Sequence, residues 1–172
     1  TDNSKIVIDS FKDEIVSVFL KKNLGVAGAS NEGIKKALGN FIIRVDADDY
    51  ISENTLLFLT EILLNNPDIG FVYTDHIRVD DKENFLERVN LDSLDKVLSH
   101  GAGIMFRKSY LETIGLYNPI MRHADDYDLI TRYFKNFNGF HLPLPLYRYR
   151  QWEGNQTKKG KRDEYVKISN AQ

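Results

Sequence analysis

The chain has no cysteine in its 172 residues. That excludes a disulfide framework and any thiolate metal site, and it fits a reducing compartment. An excess of one charge is also missing. Lys and Arg total 23 against 25 Asp and Glu, with a pI near 6.1. Such a balance leaves no basic footprint for nucleic acid. No apolar run approaches the roughly 18 residues needed to span a bilayer. With no leader pattern in the first residues, Asn155-Gln156-Thr157 reads as a chance glycosylation sequon. Internal repeats and low-complexity segments are absent. What remains is an ordinary globular composition, 42% hydrophobic and 28% charged, in a length that suits one domain with a real core.

The most informative stretch is Phe41-Ile42-Ile43-Arg44-Val45-Asp46-Ala47-Asp48-Asp49. An apolar run of this kind suits a buried parallel strand. The acids then fall at its C-terminal end, where open α/β sheets hold ligands. Three acids there repel one another, and a divalent cation would offset that cost. Hard oxygen ligands suit Mg²⁺ or Mn²⁺, often carrying a phosphate-bearing substrate. Turn chemistry is the competing explanation, since Asp bonds its own backbone two residues on. A calcium loop of the EF-hand type fails, because Ile51 and Leu57 stand where Gly and Glu are needed.

The rest of the chain reads as alternating elements. Helical rhythm covers 4–13, a short strand 16–20, and a small-residue helix 26–38 after a turn at Gly25. The acid-ended strand covers 41–46. Ser52 would cap a helix over 53–65, with Leu56, Leu57, Leu59, Ile62 and Leu63 buried. A long strand spans 69–79. This β-α-β-α-β order argues for a parallel α/β sheet. Beyond a polar turn at 80–84 come a returning strand at 85–89, a short helix at 93–99, a strand at 103–106 and a helix at 109–114. A further helix covers 126–137. Leu142–Tyr149 is punctuated by proline, so an edge or irregular strand is expected. The tail from Gly154 is polar, helical at 162–170.

A second acidic cluster, Asp125-Asp126-Tyr127-Asp128, opens the helix at 126–137. The macrodipole favours acids there without any function. The functional alternative is a general base within reach of an acceptor hydroxyl. His76 and His100 lie in or beside strands and read as packing residues. His123 lies just before the cluster, and Trp152 offers a ring that could stack on a sugar. Gly101 and Gly103 would permit close backbone approach.

Taken in order, Asn23-x-Gly25, Asn31-x-Gly33, Ala37-x-Gly39 and Asp46-Ala47-Asp48-Asp49 resemble the family 2 glycosyltransferases of the GT-A fold. The later segments Gly103-Ile104-Met105-Phe106-Arg107, Ile114-Gly115-Leu116-Tyr117, Asp125-Asp126-Tyr127-Asp128-Leu129 and Leu146-Tyr147-Arg148-Tyr149-Arg150 resemble their acceptor half. The resemblance implies a Rossmann-like, mostly parallel sheet flanked by helices, here lacking the first strands. It covers 1–157, with a donor and metal half at 1–79 and an acceptor half at 80–157. Residues 158–172 form a polar tail.

By position the resemblance implies that Asp48 holds Mn²⁺ or Mg²⁺ bridging the donor diphosphate. Asp46 and Asn31 would bind the donor, most often a UDP-sugar. Asp126 would be the catalytic base, with inversion at the anomeric carbon. Asp125, His123 and Trp152 would line the site of a glycan or lipid-linked acceptor. The expected location is cytoplasmic, with the inner face of the cell membrane as an option. Two departures stand out. The family's opening strands are not in this chain, whose Thr1-Asp2-Asn3-Ser4 resembles the residues just after them, so an N-terminal truncation is expected. Trp152 stands where many members have a His near the metal. The alternatives are a non-catalytic glycan-binding fragment and a sugar nucleotidyltransferase.

Overall fold

The computed structural model describes residues 3–121, 124–152 and 161–169. His123 and the sequon at 155–157 lie outside them. Helix α1 (Ser4–Ser10) buries no side chain. The expected strand at 16–20 does not form, and Val16, Val18, Phe19 and Leu20 stay exposed. A β-branched run becomes a strand only where a neighbour accepts its backbone, and none of the described strands does. Helix α2 (Gly25–Lys36) follows a turn in which Gly25, at φ 69, donates its N–H to Asn23 Oδ1.

The remaining elements are β1 (Phe41–Ile43), β2 (Tyr50–Ile51), α3 (Thr55–Asn65), β3 (Ile69–Val79), β4 (Phe85–Val89), α4 (Leu94–Ser99), β5 (Met105–Arg107), α5 (Lys108–Ile114), α6 (Asp125–Asn136), β6 (Asn138–Arg150) and α7 (Lys161–Ser169). The sheet runs β1-β5-β3-β6-β2, with β4 paired to β3. The α/β architecture is as expected, and the sheet is mixed. Only β3 and β6 pair in parallel; the other pairings are antiparallel. Strands β1, β3 and β6 still run the same way. β5, from the second half, enters between β1 and β3 in the opposite sense. Local β-α-β rhythm sets strand direction but not which strand fills the gap.

Alternation along β3 and β5 builds a core on each face of the sheet. Phe71 and Phe106 meet Ile34 of α2, Leu111 of α5 and Leu129, Ile130 and Tyr133 of α6. Val72 and Met105 meet Leu59 and Leu63 of α3. Helix α3 therefore buries a narrow stripe, and Leu56 and Leu57, expected inside, are exposed. Its N-cap position is Asn54 rather than Ser52. Strand β6 lies inside the sheet rather than at its edge. Its prolines are accommodated by register shifts around Thr74, Asp75 and His76 of β3, where a missing N–H costs no ladder bond. Helix α7 rests on α6 through Tyr165 and Tyr127, with ring centroids 5.0 Å apart.

Candidate active site

Strand β1 ends at Ile43, so Asp46, Asp48 and Asp49 stand on the loop beyond it. The loop closes on itself as Asp49 N–H donates to Asp46 O at 3.0 Å. The end of β6 then holds it from about a hundred positions away. Arg150 N–H donates to Asp49 Oδ1 at 2.8 Å, and the Tyr147 hydroxyl to Asp49 Oδ2 at 2.7 Å. The same hydroxyl accepts Asp46 N–H at 3.3 Å. Burial pushes the Asp49 carboxyl up to about 6, against the pull of those two bonds. Burial likewise raises the Tyr147 phenol, and its bond to Asp49 adds to the shift. Asp48 is the exposed member. Arg150 Nε donates to its backbone oxygen at 3.0 Å, and Trp152 Nε1 donates to its Oδ2 at 3.0 Å.

Arg44 joins this loop to the second cluster. Its Nε donates to Asp46 Oδ1 at 2.9 Å. Its Nη1 and Nη2 donate to the two oxygens of Asp126 at 2.5 and 3.1 Å. Asp125 Oδ2 lies 3.6 Å from Nη1. Asp126 and Asp125 are buried in the first turn of α6, and the guanidinium also sits 5.6 Å from the centre of the Tyr117 ring. A Cβ at Gly101 would overlap the Asp126 side chain, so this carboxylate lies against bare backbone. Gly103, at φ 74, similarly lies under the Tyr147 ring, where a Cβ would come within 2.6 Å. The close approach expected at both glycines is thus observed.

Asp128 serves the fold. Its Oδ2 accepts Arg132 Nε and Nη2 at 2.9 and 2.6 Å. Arg132 in turn fans onto the carbonyls of Ile114, Gly115 and Leu116, closing the end of α5. Asn31, expected at the donor, exchanges two bonds with the Tyr117 backbone at 2.8 and 2.9 Å, which engages both ends of its amide. Trp152, expected at the acceptor, donates its indole N–H to Asp48 Oδ2. His76 and His100 stack with centroids 4.0 Å apart beside Tyr149. Burial holds His76 down at about 4, in keeping with a packing role.

Sequence reasoning does not single out Arg44 and Tyr147 as site residues. A signal exists for Arg44: period-two alternation puts 44, 46 and 48 on one side of an extended chain. Nothing in the sequence connects Tyr147 to Asp49. Arg44, Tyr147, Arg150 and Trp152 offset part of the expected repulsion among the three acids, while Asp48 and Asp46 still raise the Asp49 carboxyl.

Among the described residues no three His, Cys, Asp or Glu side chains converge to hold a metal alone. Asp48 nevertheless fits a metal of another kind. No protein donor among the described residues reaches its Oδ1, and Mg²⁺-like ions take one or two carboxylates while substrate phosphates and waters fill the other positions. The donor set suits an ion that arrives with a diphosphate.

An acid-ended strand, a second acid-opened helix and a mixed sheet between helices define a GT-A type domain. The profile of the family "Glycosyl transferase family 2" matches residues 1–122, and the chain belongs to that family. An uncharacterized glycosyltransferase of Rickettsia bellii is 36% identical over 92 residues, 54% of this chain and 13% of that protein. The poly-beta-1,6-N-acetyl-D-glucosamine synthase of Staphylococcus epidermidis is 28% identical over 142 residues, 73% of this chain and 34% of that one. S. aureus TarS 1-349 in complex with UDP-GlcNAc superposes with TM-score 0.73 at 19% identity, over 93% of this chain and 49% of that chain. GalNAc-T7 with UDP, GalNAc and Mn²⁺ superposes with TM-score 0.69 at 17% identity, over 99% and 40%. The structural likenesses establish the fold. The chain spans less than half the length of these relatives.

Proposed function

We propose that this domain transfers a sugar from a nucleotide-sugar donor, a UDP-sugar, to a glycan or lipid-linked acceptor with inversion, in a metal-dependent reaction. The carrying observation is that one guanidinium, Arg44, bonds Asp46 of the donor-side loop and Asp126 of the acceptor-side helix. The two clusters are thus joined through one side chain. The names of the Staphylococcus relatives support a UDP-sugar and a polysaccharide product.

A bound Mn²⁺ or Mg²⁺ would supply charge neutralisation for the departing diphosphate, and Asp48 is the residue that would hold it. Asp126 acts as general base. Arg44 bonds both of its oxygens, which holds the carboxylate in one orientation for the proton it is to take. Asp126 takes the hydroxyl proton as the oxygen attacks the anomeric carbon from the face opposite the diphosphate, and the bond to the diphosphate breaks. Arg44 keeps Asp126 aligned, and Gly101 gives it room. No described helix is long and apolar enough to cross a membrane.

The test is thermal stabilisation by UDP with Mn²⁺, which follows from ligand linkage. The melting temperature should rise with both present, and Asp48→Asn should abolish the rise. An equal rise in wild type and variant would place the metal elsewhere. No rise in wild type would favour a glycan-binding role without donor binding.

A further inference from the structure

We propose that Trp152 is a positioning residue for the metal-binding carboxylate, acting through Asp48 from the end of β6. The inference rests on the donor and metal reading above. Asp48 stands on an exposed loop, where a lone carboxylate would sample several rotamers. Arg150, at the end of β6, and Trp152, just beyond it, remove that freedom. Arg150 Nε fixes the Asp48 backbone oxygen at 3.0 Å, and Trp152 Nε1 fixes Oδ2 at 3.0 Å. The strand leading to both is anchored through Tyr147 and Arg150 N–H to Asp49.

The indole has a single donor and no acceptor. It can orient a carboxylate but cannot ligate a cation, so with Oδ2 bonded to the indole Oδ1 is the oxygen assigned to the ligand. Partners of this kind, bonded to a ligating side chain rather than to the metal, typically contribute about 10–100-fold in metal affinity. Trp152 is half exposed, and a Phe in its place keeps most of the buried ring, so the effect on affinity is separable from folding.

Trp152 is also the only tryptophan of the chain, which makes its fluorescence a direct reporter. Titrating Mn²⁺ in the presence of UDP should quench the wild-type emission, and Asp48→Asn should abolish the quenching. Trp152→Phe keeps an aromatic ring and lacks the N–H. It should weaken Mn²⁺ with UDP by about 10–100-fold in calorimetric titration, with the ligand-free melting temperature unchanged. Affinity within twofold of wild type, or higher, would overturn the proposal, the latter showing that the indole merely competes for Asp48. If UDP and Mn²⁺ stabilise wild type and Asp48→Asn abolishes this, yet the emission does not respond, the role of Trp152 fails while the metal reading stands. No ligand-dependent stabilisation in wild type would overturn both.

Discussion

Asp46, Asp48 and Asp49 stand on a loop, and one of them faces solvent. Asp125, Asp126 and Asp128 are all buried in the first turn of α6. Each set holds three acids within four positions, so composition does not separate them. Their surroundings do. The loop is held largely by β6, and the exposed Asp48 is bonded at its carboxylate through Oδ2 to Trp152. The helix cluster is closed by two arginines: Arg44 on Asp126 and Asp125, and Arg132 on Asp128. An open carboxylate suits a ligand that comes and goes. A closed one suits a group whose orientation must be fixed before substrate arrives. Arg44 bonds a member of each set.

The largest effect should come from taking the proton acceptor out of the closed cluster. Asp126→Asn keeps size and one acceptor oxygen but cannot take the hydroxyl proton. Turnover in the active enzyme should fall by roughly 10²–10⁴-fold, with stabilisation by UDP and Mn²⁺ nearly unchanged. If Asp125→Asn abolishes turnover while Asp126→Asn leaves it near normal, the base is the neighbouring residue. If neither matters, the cluster only opens a helix.

Removing the link between the clusters should show mainly in stability. Arg44→Gln removes the guanidinium from the buried Asp126 and Asp125. Breaking a buried ion pair by deleting one partner costs about 3–5 kcal/mol, and denaturant unfolding would measure it. A loss below about 1 kcal/mol, the range of exposed pairs, would show that these acids are better solvated than their burial indicates.

Below Tyr147 the stacked His76 and His100 predict a dependence on acid. His76 is neutral in the fold at about 4 instead of its ordinary 6.5; burial is the main cause, Arg78 adds to it, and Asp75 opposes it. His100 and Tyr149 face its ring. At this site the folded state therefore binds fewer protons than the unfolded chain between about pH 6.5 and 4, opposite to the raised Asp49 carboxyl. Stability from this site is present above about 6.5 and is lost as pH falls through that window, on the order of 2–3 kcal/mol. His76→Phe should flatten the curve of melting temperature between about pH 6.5 and 4 relative to wild type. Parallel curves would contradict the assignment.

A smaller effect is expected from Gly101→Ala. The added methyl overlaps the Asp126 carboxylate, and overpacking of this kind costs about 1–3 kcal/mol. If turnover falls while melting changes little, the carboxylate has moved aside rather than the backbone.

The legibility of these features in the sequence is uneven for physical reasons. The Gly25 turn, α6 and β3 are legible because each is encoded by local periodicity and turn chemistry, whereas the acid-ended strand expected over 41–46 stops at Ile43 and leaves the acids on a loop. Residues 16–20 have strand composition but no ladder partner among the described strands, so propensity alone misleads. Leu56 and Leu57 read as buried because α3 is apolar nearly all round, and only the sheet decides which stripe is covered. The contacts of Arg44, Tyr147 and Trp152 with Asp126, Asp49 and Asp48 span 82, 98 and 104 positions. Contacts at such separations leave no periodic trace. The sheet order is hidden for the same reason, since β5 enters between β1 and β3 from the second half.

The smallest effect sharpens the contrast most. Asp48→Asn changes an exposed side chain whose described partner is the Trp152 indole. The Asn oxygen can still accept that bond, and no buried cation is left behind. Stability in the absence of ligand should therefore stay within about 0.5 kcal/mol of wild type, while the same change abolishes stabilisation by UDP and Mn²⁺. The two measurements belong together, because a loop built for its ligand loses the ligand and keeps its fold. If Asp48→Asn instead destabilises the ligand-free protein by more than about 1 kcal/mol, beyond what a surface substitution explains, Asp48 is part of the structural lock between β6 and the loop. The open cluster would then hold the fold together as the closed one does, and the difference between them would be one of exposure alone.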